Sequence, residues 1–134
     1  MNNKETVSHC LDALKKAGVD KAACSLNMME KKELNVEIGE MTLLRTTFNN
    51  NMGISVIKDQ KKGSTSINKT DKGSIDTAVA LVMAMAEGSQ PDEAYDIAEQ
   101  QPSKSFSKGD ESANLDTMYQ SLEEFVDYVK SAYP

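Results

Sequence analysis

Few side chains in this sequence could make or break a covalent bond. Two cysteines, Cys10 and Cys24, and a single histidine, His9, are the groups from which nucleophilic or metal chemistry would have to be built. A thiol attacks as its thiolate and needs a base or cation beside it. His9 adjoins Cys10 in sequence, but neighbouring helical positions diverge by about 100°, so imidazole and thiol do not share a face. Neither cysteine has metal-ligand spacing, and both lie in apolar patterns, where a free cysteine behaves as a small buried hydrophobe. An H-E-x-x-H helix requires two histidines, and G-x-S-x-G, Walker and G-x-G-x-x-G motifs are also missing. The serines of residues 64–66 have no histidine base near them in sequence, and the carboxylate pairs Asp92-Glu93 and Glu123-Glu124 read as solvated charge. The expectation is a chain with no catalytic residue, no metal ligand set and no cofactor.

Bulk properties narrow the partners. The net charge is −6, with a pI near 4.8. A phosphate backbone is bound by releasing counterions to Lys and Arg, and this chain has one arginine, Arg45, so nucleic acid is not an expected partner. No stretch approaches the roughly 20 apolar residues of a membrane helix, and the N-terminus is amphipathic rather than a signal core. No membrane partner and a cytoplasmic location are expected.

The elements that must position any site follow from periodicity. Val7, Cys10, Leu11 and Leu14 form the stripe of a helix over residues 4–17, with Gly18 as its stop. Residues 22–30 suit a strand, and Leu34, Val36 and Ile38 alternate as a second one. A turn at Gly39-Glu40 leads into residues 41–48. Asn49-Asn50-Asn51 reads as another turn, because asparagine tolerates the left-handed region. Met52, Ile54 and Val56 then alternate, and a basic turn over residues 58–63 precedes a polar strand ending near Asn68. Asp71, Thr70 or Ser74 caps a second helix carrying Ile75, Val79, Val82 and Ala86. Residues 89–114 read as a long loop. Ser121-Leu122-Glu123-Glu124 reads as a capping box opening a helix over residues 122–132, with Leu122, Phe125, Val126 and Val129 on its apolar face. The expected fold is two-layer α+β, a mainly antiparallel sheet of about five strands with helices packed on one face. The expected division is an α+β domain over residues 1–90, then a polar linker and helix over residues 91–134 leading toward a further domain.

Several short motifs within this order resemble one family. Gly53-Ile54-Ser55-Val56, Lys61-Lys62-Gly63-Ser64-Thr65-Ser66 and Thr70-Asp71 are similar to the N-terminal region of TldD/PmbA proteins, also called modulators of DNA gyrase. Gly39-Glu40 resembles that family's hairpin, and Pro91-Asp92 with Ile97-Ala98-Glu99 resembles its following loop, although Asp96 stands where glycine is usual. Leu115-Asp116, Tyr119 and Ser121-Leu122-Glu123-Glu124 resemble the entry to the next helix. Ser55, in place of an arginine, favours the PmbA type.

The resemblance implies a cytosolic protein working in TldD/PmbA pairs that proteolyse unfolded or modified peptides. Zinc would belong to the C-terminal domain of TldD-type subunits, beyond this chain, so no ligand carries over. This chain would be a non-catalytic scaffold or peptide-channel domain. Its expected partners are a peptide substrate of the full-length complex and a homo- or hetero-oligomeric family partner. Arg45, Asn49 and Asn68 are the candidate peptide contacts. The other reading is a free-standing interaction module using the C-terminal helix or a sheet edge.

Overall fold

The computed structural model describes residues 1–134, in the order α1 (Asn3–Lys16), β1 (Lys21–Glu37), β2 (Glu40–Lys58), β3 (Lys61–Ile67), α2 (Lys72–Gly88) and α3 (Leu115–Ala132). The class is α+β, but the sheet has three strands in the order β1-β2-β3 rather than about five. The difference lies in two expected breaks that do not occur. Residues 22–30 and 34–37 belong to one 17-residue strand, and Asn49-Asn50-Asn51 lie inside a 19-residue strand. None of the three asparagines adopts a positive φ. Asparagine tolerates a turn without requiring one, and ladder pairing with neighbouring strands decides the outcome.

The chain forms two compact units, residues 1–28 with 49–101 and residues 29–48 with 102–134. In the first, α1 opens with a capping box. Asn2 Oδ1 accepts from the Glu5 N–H at 2.9 Å, and Glu5 Oε2 accepts from the Asn2 N–H at 2.9 Å. Its buried face is Thr6, Cys10 and Leu14. Asp71 caps α2, accepting from the Ser74 N–H at 3.0 Å. Met52, Ile54 and Val56 alternate onto the core face of β2 and meet Cys10 and Leu14 of α1 and Ile75, Ala78, Val79, Val82 and Ala86 of α2. Each large side chain fully buried there contributes about 1.5–3 kcal/mol.

The β2–β3 ladder is antiparallel and runs from Met52↔Ile67 to Lys58↔Lys61. The connecting turn is Asp59-Gln60, with φ of 50° and 62°. Two successive positive φ values define the hairpin turn whose twist matches its strands. The turn is therefore shorter than the basic segment suggested, and Lys61-Lys62 already belong to β3. Gly63, opposite Val56, sits under α2. A Cβ built there would lie 2.2 Å from the Val82 carbonyl oxygen and 2.8 Å from the Ala86 nitrogen. Helix and strand touch backbone to backbone at this point.

The second unit holds the distal hairpin of β1 and β2 with α3. Its turn is Ile38-Gly39, one residue earlier than expected, with φ of 52° and 76°. Ile38 is a β-branched residue in the left-handed region and is fully exposed, at 103%. α3 begins seven residues before the sequence-based start, capped by Asn114, whose Oδ1 accepts from the Thr117 N–H at 3.1 Å. Ser121 and Glu124 lie inside the helix, so the S-x-x-E pattern there is not a cap. Leu115, Met118, Leu122 and Val126 are the half-buried stripe of α3, but no residue of α3 is buried.

Two stability tests follow. Gly63→Ala forces α2 away from β3 and is expected to cost about 1–3 kcal/mol, read as a lower urea midpoint with little change in m-value. Ile38→Asn relieves the left-handed strain and is expected to gain roughly 1 kcal/mol locally, read as slower hydrogen exchange at the amides flanking the turn.

Candidate functional site

A cavity of about 860 Å³ lies where β3 ends and α2 begins. Its floor is apolar, from Ile67, Ala78 and Leu81, and its rim carries Asn51, Ser66, Asn68 and Lys69. Register explains the grouping. Met52 pairs with Ile67, so the next step along both strands brings Asn51 and Asn68 to the same end of the ladder. β3 is an edge strand whose only strand neighbour is β2; on its outer edge Ser89 Oγ takes the Lys62 N–H, at the end away from the cavity.

Asp71 also lines this cavity, but its carboxylate is engaged by the helix. Oδ1 accepts from the Ser74 N–H and Oδ2 from the Ser74 hydroxyl at 2.6 Å. The Ser74 hydroxyl, the Ser74 N–H and, more weakly, the Lys69 charge hold the Asp71 carboxyl below its ordinary value. Thr77 Oγ1 donates back to the Gly73 carbonyl at 2.9 Å. What remains for a ligand is a set of amide, hydroxyl and ammonium groups over an apolar floor. Such groups hold a polar backbone in place by hydrogen bonds.

The three sequence-derived contact residues are not one cluster. Asn68 is on the cavity rim, and Asn49 is an exposed residue of β2 in the same unit. Arg45 belongs to the second unit, where its Nε and Nη2 donate to Glu33 Oε2 at 2.9 and 2.8 Å. Lys31 reaches the other Glu33 oxygen at 2.8 Å, and together Lys31 and Arg45 hold the Glu33 carboxyl below its ordinary range. Asn51 and Ser66 are the residues that sequence reading missed. Carrying the strand pairing through to the end of β3 reveals Asn51, but reading Asn49-Asn50-Asn51 as a turn hides it.

The remaining reactive groups point elsewhere. His9 Nε2 lies 3.0 Å from Asp76 Oδ1, tying α1 to α2, while Cys10 turns into the core. No three His, Cys, Asp or Glu side chains converge as a metal site. No helix is long and apolar enough to cross a membrane. The loop after α2 is held to the first unit. The Asp92 N–H donates to the Gln60 carbonyl at 2.8 Å, Lys62 lies over the Tyr95 ring, and Lys21 pairs with Asp96, whose carboxyl is held below its ordinary value by that bond.

Residues 25–86, which include β3, the cavity rim and most of α2, match the family described as PmbA/TldA metallopeptidase domain 1. Over those residues, a little under half of the chain, the sequence is similar to that family. The same fold occurs in TldE from Thermococcus kodakarensis, with a TM-score of 0.74 at 17% identity over 97% of this chain and 29% of that one. It occurs also in a protein described as a modulator of DNA gyrase from Bacteroides thetaiotaomicron, with a TM-score of 0.60 at 19% identity over 88% of this chain and 28% of that one. The chain therefore spans under a third of either structure's length. No curated protein matches the sequence.

The cap of α2 makes a pH test. Because the folded Asp71 carboxyl is depressed, its stabilisation is complete above the ordinary carboxylate value and is lost as pH falls through the folded one. Asp71→Asn is expected to lower the melting temperature at neutral pH and to flatten the acid side of the melting-temperature profile. An unchanged acid limb would assign that limb to other carboxylates.

Proposed function

We propose that this chain is a non-catalytic domain of a PmbA/TldD-type peptidase assembly in the cytoplasm, and that it guides an extended peptide. The observation that carries the reading is the cavity at the end of β3. It combines the free edge of a strand with amide and hydroxyl groups over an apolar floor. An extended peptide adds to a free sheet edge by main-chain hydrogen bonds, and shallow apolar surface accepts varied side chains. That chemistry tolerates many sequences, which suits unfolded or modified substrates. Zinc and the catalytic groups would reside in another domain or a family partner. Ser55 in the Gly53-Ile54-Ser55-Val56 strand supports a PmbA-type assignment.

The second unit supports the same picture. None of its residues is buried, and Phe125 and Tyr128 of α3 and Tyr133 just after it are exposed at 61%, 67% and 78%. An apolar helix face of this kind is completed by another protein surface. This observation also favours the second reading, an interaction module docking through α3.

Anisotropy titration of a labelled, unstructured peptide separates the two. In the peptide-guide reading, Asn68→Ala and Asn51→Ala together weaken binding about tenfold, equivalent to about 1.4 kcal/mol. Phe125→Ser leaves that affinity unchanged. Equal affinities for wild type and the Asn51/Asn68 double variant would reject the cavity as the peptide site. If Phe125→Ser alone abolished association with other subunits, docking through α3 would stand by itself.

A further inference from the structure

The outer edge of β3 lies beneath α2, and the two elements leave one strand position unfilled. Gly63 turns toward α2, where a Cβ would meet the Val82 carbonyl and Ala86. Alternation puts half-buried Thr65 and Ile67 on that face too, and exposed Ser64 and Ser66 on the opposite, open face. Backbone groups alternate as well, since successive residues of an antiparallel strand aim their N–H and C=O to opposite sides. The Lys62 N–H points outward to Ser89 Oγ, so Ser64 and Ser66 also face outward, with no strand beside them.

The flank of α2 above this edge is apolar. His9 of α1 meets Asp76 at 3.0 Å, so that side of α2 faces α1. Leu81 and Met85 stand about 140° and about 180° around the helix from Asp76, on the side away from α1. They are 51% and 45% exposed, the large apolar side chains of α2 left in solvent. Leu81 lines the cavity with Ser66, Ile67 and Asn68, which places this flank over the β3 edge. Helix and strand also keep step. From Leu81 to Met85 the helix rises about 6 Å, and alternate residues of a strand are about 6.7 Å apart.

We propose, resting on the peptide-guide reading, that the unfilled position takes an extended segment with apolar side chains at alternate residues, as a fourth strand beside β3. Its backbone bonds Ser64 and Ser66. Residues opposite Gly63 and Thr65 face Met85 and Leu81, and one opposite Ile67 enters the cavity. Residues between these point to the open face, where polar and charged side chains stay hydrated. Ser89 already holds the Lys62 N–H, so the added ladder is short and ends there. Period-two apolar spacing is the mark of a half-buried strand, so the ligand class is a strand segment taken out of its own sheet.

The test uses the full chain and two labelled peptides of one composition, read by fluorescence anisotropy. In Lys-Ser-Val-Ser-Val-Ser-Lys both valines face α2, whereas in Lys-Ser-Val-Val-Ser-Ser-Lys one must turn to the open face. Wild type is expected to bind the first about tenfold tighter. The Leu81→Ser/Met85→Ser double variant, altered only at exposed positions, is expected to lose that preference and bind both at the weaker affinity. Equal affinities of wild type for the two peptides would overturn the alternation and leave the peptide-guide reading standing. Failure of both peptides to bind would reject that reading and this inference with it. A preference that survives in the double variant would overturn the placement beside α2. A wild-type dimer in sedimentation that neither peptide disrupts and the double variant abolishes would put a second copy in the strand position instead.

Discussion

The approach of α2 to β3 at Gly63 is the contact on which the first unit depends. Helix backbone and strand backbone come so close that no side chain fits between them, which seats Ile75, Val79 and Val82 into the face of β2. The same approach fixes where α2 must begin. Its first turn stands over the end of β3, and the cavity is the space left between the Asp71 cap and the last rungs of the ladder. Core and candidate site are thus two results of one backbone contact. The Lys61 ammonium donates to the Glu87 carbonyl at 3.1 Å, and Ser89 Oγ accepts from the Lys62 N–H at 3.1 Å, so the other end of α2 is pinned to the start of β3.

Burial is divided unevenly along the chain. The buried core is drawn from residues 6–14, 52–57 and 75–86, all in the first unit. The second unit holds its shape by a hairpin ladder, the Glu33 ion pairs with Lys31 and Arg45, and the half-buried stripe of α3. Exposed ion pairs of this sort contribute little on their own. A two-stranded ribbon is likewise marginal without a surface to pack on. Around its turn and along its strands, Met29, Ile38, Leu43, Leu44 and Phe48 stay in solvent. Apolar side chains left bare in this number are unusual on a self-contained domain.

Much of this was legible in residue order. The alternation of Met52, Ile54 and Val56 and the Ile75, Val79, Val82 and Ala86 face of α2 named core residues, because periodicity reports burial. The α1 stripe named Cys10 and Leu14 but also Leu11, which is exposed, and missed the buried Thr6. The long loop over residues 89–114 was legible from composition, and the family from a few short strings. Strand count was not legible. Asn49-Asn50-Asn51 carries turn chemistry, yet it continues a strand because partners on the ladder outweigh a local preference. The start of α3 was hidden for the opposite reason. Ser121 and Glu124 have capping spacing, but Asn114 supplies the cap about two turns earlier. Of the candidate contacts, Asn68 lies on the cavity rim, while the placement of Arg45 beside Glu33 depended on a cross-strand meeting that spacing along one strand does not disclose.

The bare surface of the second unit has a thermodynamic consequence. Heat capacity rises on unfolding in proportion to the apolar area newly wetted. Ile38, Leu44, Phe48 and Phe125 are wetted already in the native chain. Their share of the heat-capacity increment is absent from the isolated chain and returns when something covers them, as a negative heat capacity of association. Calorimetry of any complex that covers them would therefore carry part of the folding signal that a fully buried core of the same area shows on its own.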